Sequence, residues 1–355
     1  MEPSALSFLK KLLSTAGPSG FEAAPAAVWR EEAGRFADRV SADVSGNSMA
    51  TITGAATGPT IMFAGHIDEI GLMVVNIDDN GYLWFDTIGG WDEQVFVGQR
   101  VVLLGRAGPV AGLIGKKAIH LMEKEDREKA TKAKDLWIDI GATSRAEAAE
   151  RVQVGDAGVL DSSVLEFPNG RLVSRSIDNR IGAFVVLEAL RRLAKDRPTA
   201  TVTAVATSQE EIAYTGGGAR TSASALTPTV AIVVDMTHAT DTPGADKNRH
   251  GDVKLGGGPV LTRGSATNPR VVALLAEVAE AEGIPFALHA SPRATSTDAD
   301  AIFTSLRGVP TGLVSVPNRY MHSPNEMIVL DDIDRAAALL AGFARRITND
   351  TSFVP

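Results

Sequence analysis

Apolar residues along this chain fall into short runs that end abruptly in polar ones. Residues 59–65 (PTIMFAG) read as a buried strand that turns polar at His66-Ile67-Asp68. Residues 201–207 (TVTAVAT), 229–234 (TVAIVV) and 311–316 (TGLVSV) have the same β-branched texture. Between them the apolar spacing becomes helical: 181–193, stopped by Lys195-Asp196-Arg197-Pro198, then 271–282 and a shorter 298–306. A last helix follows Asp331-Asp332 and buries Ile333, Leu339, Leu340 and Phe343, while an amphipathic first helix carries Leu6, Phe8, Leu9, Leu12 and Leu13. Short apolar strands alternating with helices predict an α/β fold, a mixed and largely parallel sheet sandwiched by helices.

The texture changes between residues 69 and 165. Alternating segments at 72–77, 82–88, 95–104 and 110–114 are separated by turn signals such as Asp79-Asn80-Gly81. That spacing predicts a small β-barrel. Residues 121–135 carry ten charges in fifteen positions and read as a solvated loop. The chain therefore divides into an α/β domain built from residues 1–68 and 166–355, interrupted by an inserted barrel domain at 69–165. A chain of 355 residues is long enough for two cores.

Element position then exposes the chemistry. Apolar strands end in His66-Ile67-Asp68, in Glu210-Glu211 and in Asp235; Asp178 precedes a helix; His322 follows the 311–316 strand by a short loop. Open α/β sheets bind ligands outside the carboxyl ends of their strands. Each residue has an ordinary explanation alone, Asp178 as a helix cap for instance, but five coincident element ends point to a metal site. Hard oxygen and imidazole ligands suit zinc, cobalt or manganese. Asp68, two residues past His66, is placed to orient that imidazole. With adjacent acids, one can coordinate while the other acts as general base.

Composition narrows the class. A net charge of -8 disfavours nucleic acid as a partner, and the absence of cysteine removes disulfides, zinc–thiolate sites and cysteine nucleophiles. The N-terminus lacks the long apolar core of a signal peptide, and no apolar stretch approaches the ~18 residues of a membrane span. These features predict a cytoplasmic protein with no membrane partner.

Five stretches carry a family likeness: GHIDEIGLMV (65–74), SIDNRIGA (176–183), SQEE (208–211), VVDMTHATDTPG (233–244) and RYMHSPNE (319–326). Together with LGGGPVLTRGS (255–265) and LIGKKAIHL (113–121), they resemble the dinuclear-metal TET aminopeptidases, a family of glutamyl, leucyl and lysyl aminopeptidases, some once labelled cellulases. The resemblance implies that the barrel is a dimerisation domain and that dimers build a tetrahedral dodecamer. It implies two divalent ions per subunit, zinc first among the candidates. One ion would be held by His66, Asp178 and Asp235, the other by Asp178, Glu211 and His322, with Asp178 bridging. Glu210 would be the general base and Asp68 the orienting acid.

The chain departs from the family at Ala213, at Thr295-Ser296-Thr297 before Asp298, and at Ala118-Ile119-His120, none of them an expected ligand. The function expected is hydrolysis of the N-terminal residue from short unstructured peptides. The alternatives are a related metal-dependent deacylase or carboxypeptidase, and a glycosidase using Glu210 and Glu211. Adjacent carboxylates seldom face each other across a sugar at the roughly 5–9.5 Å that glycosidases need.

Overall fold

The computed structural model describes residues 1–212 and 216–355; Ala213, where the family departure begins, lies outside them with Tyr214 and Thr215. Helices α1 (Pro3–Ser14) and α2 (Ala23–Ala33) open the chain, followed by strands β1 (Arg39–Ala42), β2 (Ser48–Ile52) and β3 (Thr60–His66). Barrel strands come next: β4 (Gly71–Ile77), β5 (Leu83–Ile88), β6 (Arg100–Gly105) and β7 (Gly108–Gly115). Helix α3 (Lys124–Arg127), strand β8 (Trp137–Asp139), helix α4 (Arg145–Arg151) and strand β9 (Ala157–Leu160) complete that region. Strands β10 (Leu165–Phe167) and β11 (Arg171–Ser174) lead into α5 (Ile177–Lys195), β12 (Thr201–Thr207), α6 (Gly217–Leu226) and β13 (Val230–His238). The remainder runs α7 (Lys247–His250), β14 (Val260–Gly264), α8 (Pro269–Ala281), β15 (Ala287–Ser291), α9 (Asp298–Phe303), β16 (Thr311–Asn318), β17 (Glu326–Val329) and α10 (Leu330–Arg346).

The main sheet has the order β1-β2-β12-β3-β13-β16-β14-β15. Its centre, β12-β3-β13-β16, is parallel, while β2 and β14 join antiparallel on either side. Both faces are covered, as continuous apolar strands require. Ile61 and Phe63 of β3 point into a core shared with α1, α5, α8 and α10; Met62 and Ala64 point into a second core with α6 and α9. The expected α/β sandwich is therefore the observed one.

Strands β4-β5-β8-β7-β6-β9 close an antiparallel barrel filled by Leu72, Val74, Phe85, Phe96, Leu103 and Ile138. The segment expected as one strand at 95–104 is split. A 3-10 turn over Glu93–Phe96 precedes β6, because Gly98 at φ +78° turns the chain between them. Within 121–135 the mostly exposed chain still forms α3 and a 3-10 turn at Ala133–Asp135, which buries Ala133. The β1–β2 hairpin, α2 and the outer β14–β15 pair were not marked by periodicity. No helix among the described residues is long and apolar enough to cross a membrane.

One contact between sheet and helix carries a direct prediction. A Cβ at Gly65 would lie 2.4 Å from the backbone carbon of Gly182, so β3 meets α5 backbone to backbone just before His66. Gly65→Ala is expected to lower stability by about 1–3 kcal/mol. An unchanged denaturant midpoint would show that α5 can yield.

Candidate metal centre

The parallel strands aim their carboxyl ends at one rim. β3 ends in His66, and β12 ends at Thr207, followed by the turn that carries Glu210 and Glu211. Asp235 is not at a strand end, as expected, but inside β13, which runs on to His238. The β3–β13 ladder stops at Val233–Ala64 while β13 stays paired with β16, so Asp235 lies beyond the last β3 rung.

Asp178 stands in the first turn of α5 with non-helical backbone, and Ser176, not Asp178, takes the cap position. Asn179 anchors this start to β13, donating from Nδ2 to the Val234 carbonyl at 2.8 Å. His322 sits between β16 and β17 with φ +58°, its amide donating to Glu326 Oε1 at 3.0 Å.

Residues far apart in sequence converge here. His66 Nε2 lies 3.3 Å from Asp178 Oδ1, 3.7 Å from Glu210 Oε2 and 3.9 Å from Asp235 Oδ1. The other Asp178 oxygen, Oδ2, lies 3.6 Å from His322 Nε2, which is 3.5 Å from Glu211 Oε2. Among the described residues the triads His66–Asp178–Asp235 and Asp178–Glu211–His322 each offer ligand atoms within 4.8 Å of one another, as does His66–Glu210–Glu211. All five residues expected as ligands, and Glu210, are brought together. Asp68 Oδ1 lies 3.3 Å from His66 Nδ1, and the Asp68 carboxylate accepts the amides of Glu210 (3.2 Å) and Glu211 (3.1 Å).

The electrostatics call for added positive charge. Burial and neighbouring acids push Glu210 up to about 10 and Asp235 well above the usual carboxylate range. Burial alone would lower the His66 pKa, yet Glu210, Asp178 and Asp68 hold it well above normal. His322 is pushed up to about 11 by Asp178 and Glu211. Burial and mutual repulsion thus oppose the ionised forms of Glu210 and Asp235, an opposition that nearby positive charge would relieve. Among the described residues, buried Asp178 Oδ1 and Glu211 Oε1 have no partner in hydrogen-bond geometry, a costly state for carboxylate oxygens. Oxygen and imidazole donors with such orphaned atoms fit divalent cations of the zinc, cobalt or manganese type.

The centre opens into a cleft of about 900 Å³ lined by Glu210, Glu211 and His322 together with Arg220, Asp298 and Asp300. Sequence reading missed two residues here. Glu326, 2% exposed, accepts the amides of both Asp178 (3.0 Å) and His322. Gly90 supplies the carbonyl that faces His322 Nδ1 at 2.6 Å and so selects the tautomer. Only the place of Glu326, four positions after His322, hinted at its part. His120, His238 and His250 are exposed, outside every candidate group among the described residues.

Comparison with known proteins bears on this geometry. The model of the M42 glutamyl aminopeptidase family matches residues 46–339. The lysyl aminopeptidase of Pyrococcus furiosus is 33% identical over 336 residues, 93% of this chain and 94% of that protein. The TET aminopeptidase of a marine sediment thaumarchaeon shares the fold with a TM-score of 0.92 and 36% identity, covering 98% of this chain and 97% of its own. The TET1 peptidase of Pyrococcus horikoshii, described as able to assemble into a tetrahedron or a large octahedral shell, has a TM-score of 0.86 at 29% identity, over 97% of this chain and 100% of its own.

Proposed function

Because this chain belongs to the M42 glutamyl aminopeptidase family, we propose that it removes the N-terminal residue of short unstructured peptides at a dinuclear metal centre. The observation that carries this reading is Asp178, whose two oxygens face the histidines of two different triads. His66, Asp178 and Asp235 would hold one divalent cation and Asp178, Glu211 and His322 the other. Bound there, zinc, cobalt or manganese would polarise the scissile carbonyl and acidify water near neutral pH.

The chain's own groups do the rest. Glu210 is the general base: it lines the cleft and takes a proton from the attacking water, then hands it to the leaving amine. Asp68 orients His66 through Nδ1 and fixes the amides of the acidic pair. Residues 69–165 form the dimerisation domain between the catalytic segments 1–68 and 166–355, and dimers assemble further, to a tetrahedral dodecamer. The shell described for the Pyrococcus horikoshii relative supports this assembly. A cytoplasmic location belongs to the same reading.

The test is a panel of aminoacyl-p-nitroanilides assayed after chelation, then with zinc, cobalt or manganese restored. Activity is expected to vanish, to return with metal, and to require a free amine. Hydrolysis that persists after chelation would defeat this metal-dependent reading. Preference for blocked amines would point to a deacylase.

A further inference from the structure

We propose that Glu22, on the loop between α1 and α2, is a positioning residue for the acidic pair, holding the amide that begins their turn. The inference rests on the reading of Glu210 as general base. Gln209, Glu210 and Glu211 each donate a backbone N–H to a buried carboxylate. Gln209 donates to Glu22 Oε1 at 3.1 Å; Glu210 and Glu211 donate to the two oxygens of Asp68. Gln209 has φ +59°, a left-handed conformation unfavourable for a residue with a side chain. The turn is therefore held in shape from outside, and Glu22 is its first tether.

Helix capping does not account for Glu22. It occupies the N-cap position of α2 but makes no side-chain bond to that helix. The same Oε1 accepts the Gly20 amide at 2.7 Å, so the side chain folds back over its own loop toward β12, and the residue is only 6% exposed. That loop is fastened in turn to the residue after Asp68. Ser19 donates to the Glu69 carbonyl at 3.0 Å, and Gly17 donates to Glu69 Oε1 at 3.1 Å.

Arg180, two residues beyond Asp178, ties the same frame to α5. It donates to Leu12 O at 2.9 Å, to Ile67 O at 3.1 Å and to Glu69 Oε1 at 2.7 Å. The α1–α2 loop thus shares one network with the segments carrying His66, Asp178 and the acidic pair. Burial and the nearby Asp68 charge push the Glu22 pKa up. Either protonation state leaves Oε1 an acceptor, and an amide oxygen can take its place.

The metal-loaded enzyme should therefore be compared as wild type, Glu22→Ala, Glu22→Gln and Glu22→Asp, with kcat and KM measured separately on the best substrate of the panel. Glu22→Ala is expected to lose about 10- to 100-fold in kcat, the scale of a small misplacement of a reacting group, with little change in KM. Glu22→Gln should keep most of the activity. Leu103→Ala, a substitution in the separate core of the barrel, should lower the melting temperature and leave kcat at 25 °C intact. Equal loss in Ala and Gln, or a loss confined to KM, would overturn the proposal. If Glu22→Ala does not fold, Glu22→Asp decides: its charge is kept but its reach shortened, so it must fall below Gln. Wild-type enzyme that metal fails to activate would sink the peptidase reading instead, and this inference with it.

Discussion

Replacing Glu210 with Gln is expected to cut kcat by about 10²–10⁴-fold while the protein still binds two metal ions per chain. The substitution keeps the size of the side chain and removes only its capacity to accept and return a proton. Glu210 is not needed to complete either of the two triads that share Asp178, so metal content should be unchanged. Its backbone is held by Asp68, so the amide side chain should occupy the same place. Metal content by mass spectrometry alongside steady-state kinetics decides the matter. Activity within tenfold of wild type would refute the base assignment, and loss of metal would make Glu210 a ligand.

Asp178 should show the second large effect. Asp178→Ala removes the one residue common to both triads, so both ions should weaken together and turnover should fall below detection. His322→Ala removes a member of one triad only. It should leave one ion tightly held, with affinity for the other lowered by more than about 10²-fold, the upper range seen when mere supporting partners of a ligand are lost. Stoichiometry after desalting separates the two variants. Retention of two ions in His322→Ala, or of one tight ion in Asp178→Ala, would contradict a shared carboxylate.

Much of this is legible in the amino-acid sequence. β3 and β12 were found because apolar runs on a doubly covered sheet end sharply where the chain meets solvent or ligand, so His66 and Glu210-Glu211 stood out. Asp235 was noticed for the wrong local reason. The apolar run stops at Val234, but β13 does not, since its pairing with β16 continues after β3 has left. The barrel strand expected over 95–104 failed because hydrophobic residues on a 3-10 turn and on a strand look alike within so short a window.

Glu326 and Glu22 were not found at all. A carboxylate among polar residues reads as solvated, and beyond the place of Glu326 four positions after His322 nothing nearby in sequence reveals the burial of either residue or the distant amides they accept. Residues 148 positions apart meet when Glu326 accepts the amide of Asp178, and 187 separate Glu22 from Gln209.

The amino-acid order alone determined the central buried strands, the main helices that cover them, and the imidazole and carboxylate groups that interrupt or follow their apolar runs. These follow from side-chain periodicity and backbone preference over a few neighbouring residues. The folded chain alone decided the strand order β12-β3-β13-β16, the convergence of Asp178 on two histidines, and the carboxylates that hold the acidic turn. Those depend on which strands pair across long separations, and pairing is settled by burial of the whole sheet, a property no local window contains.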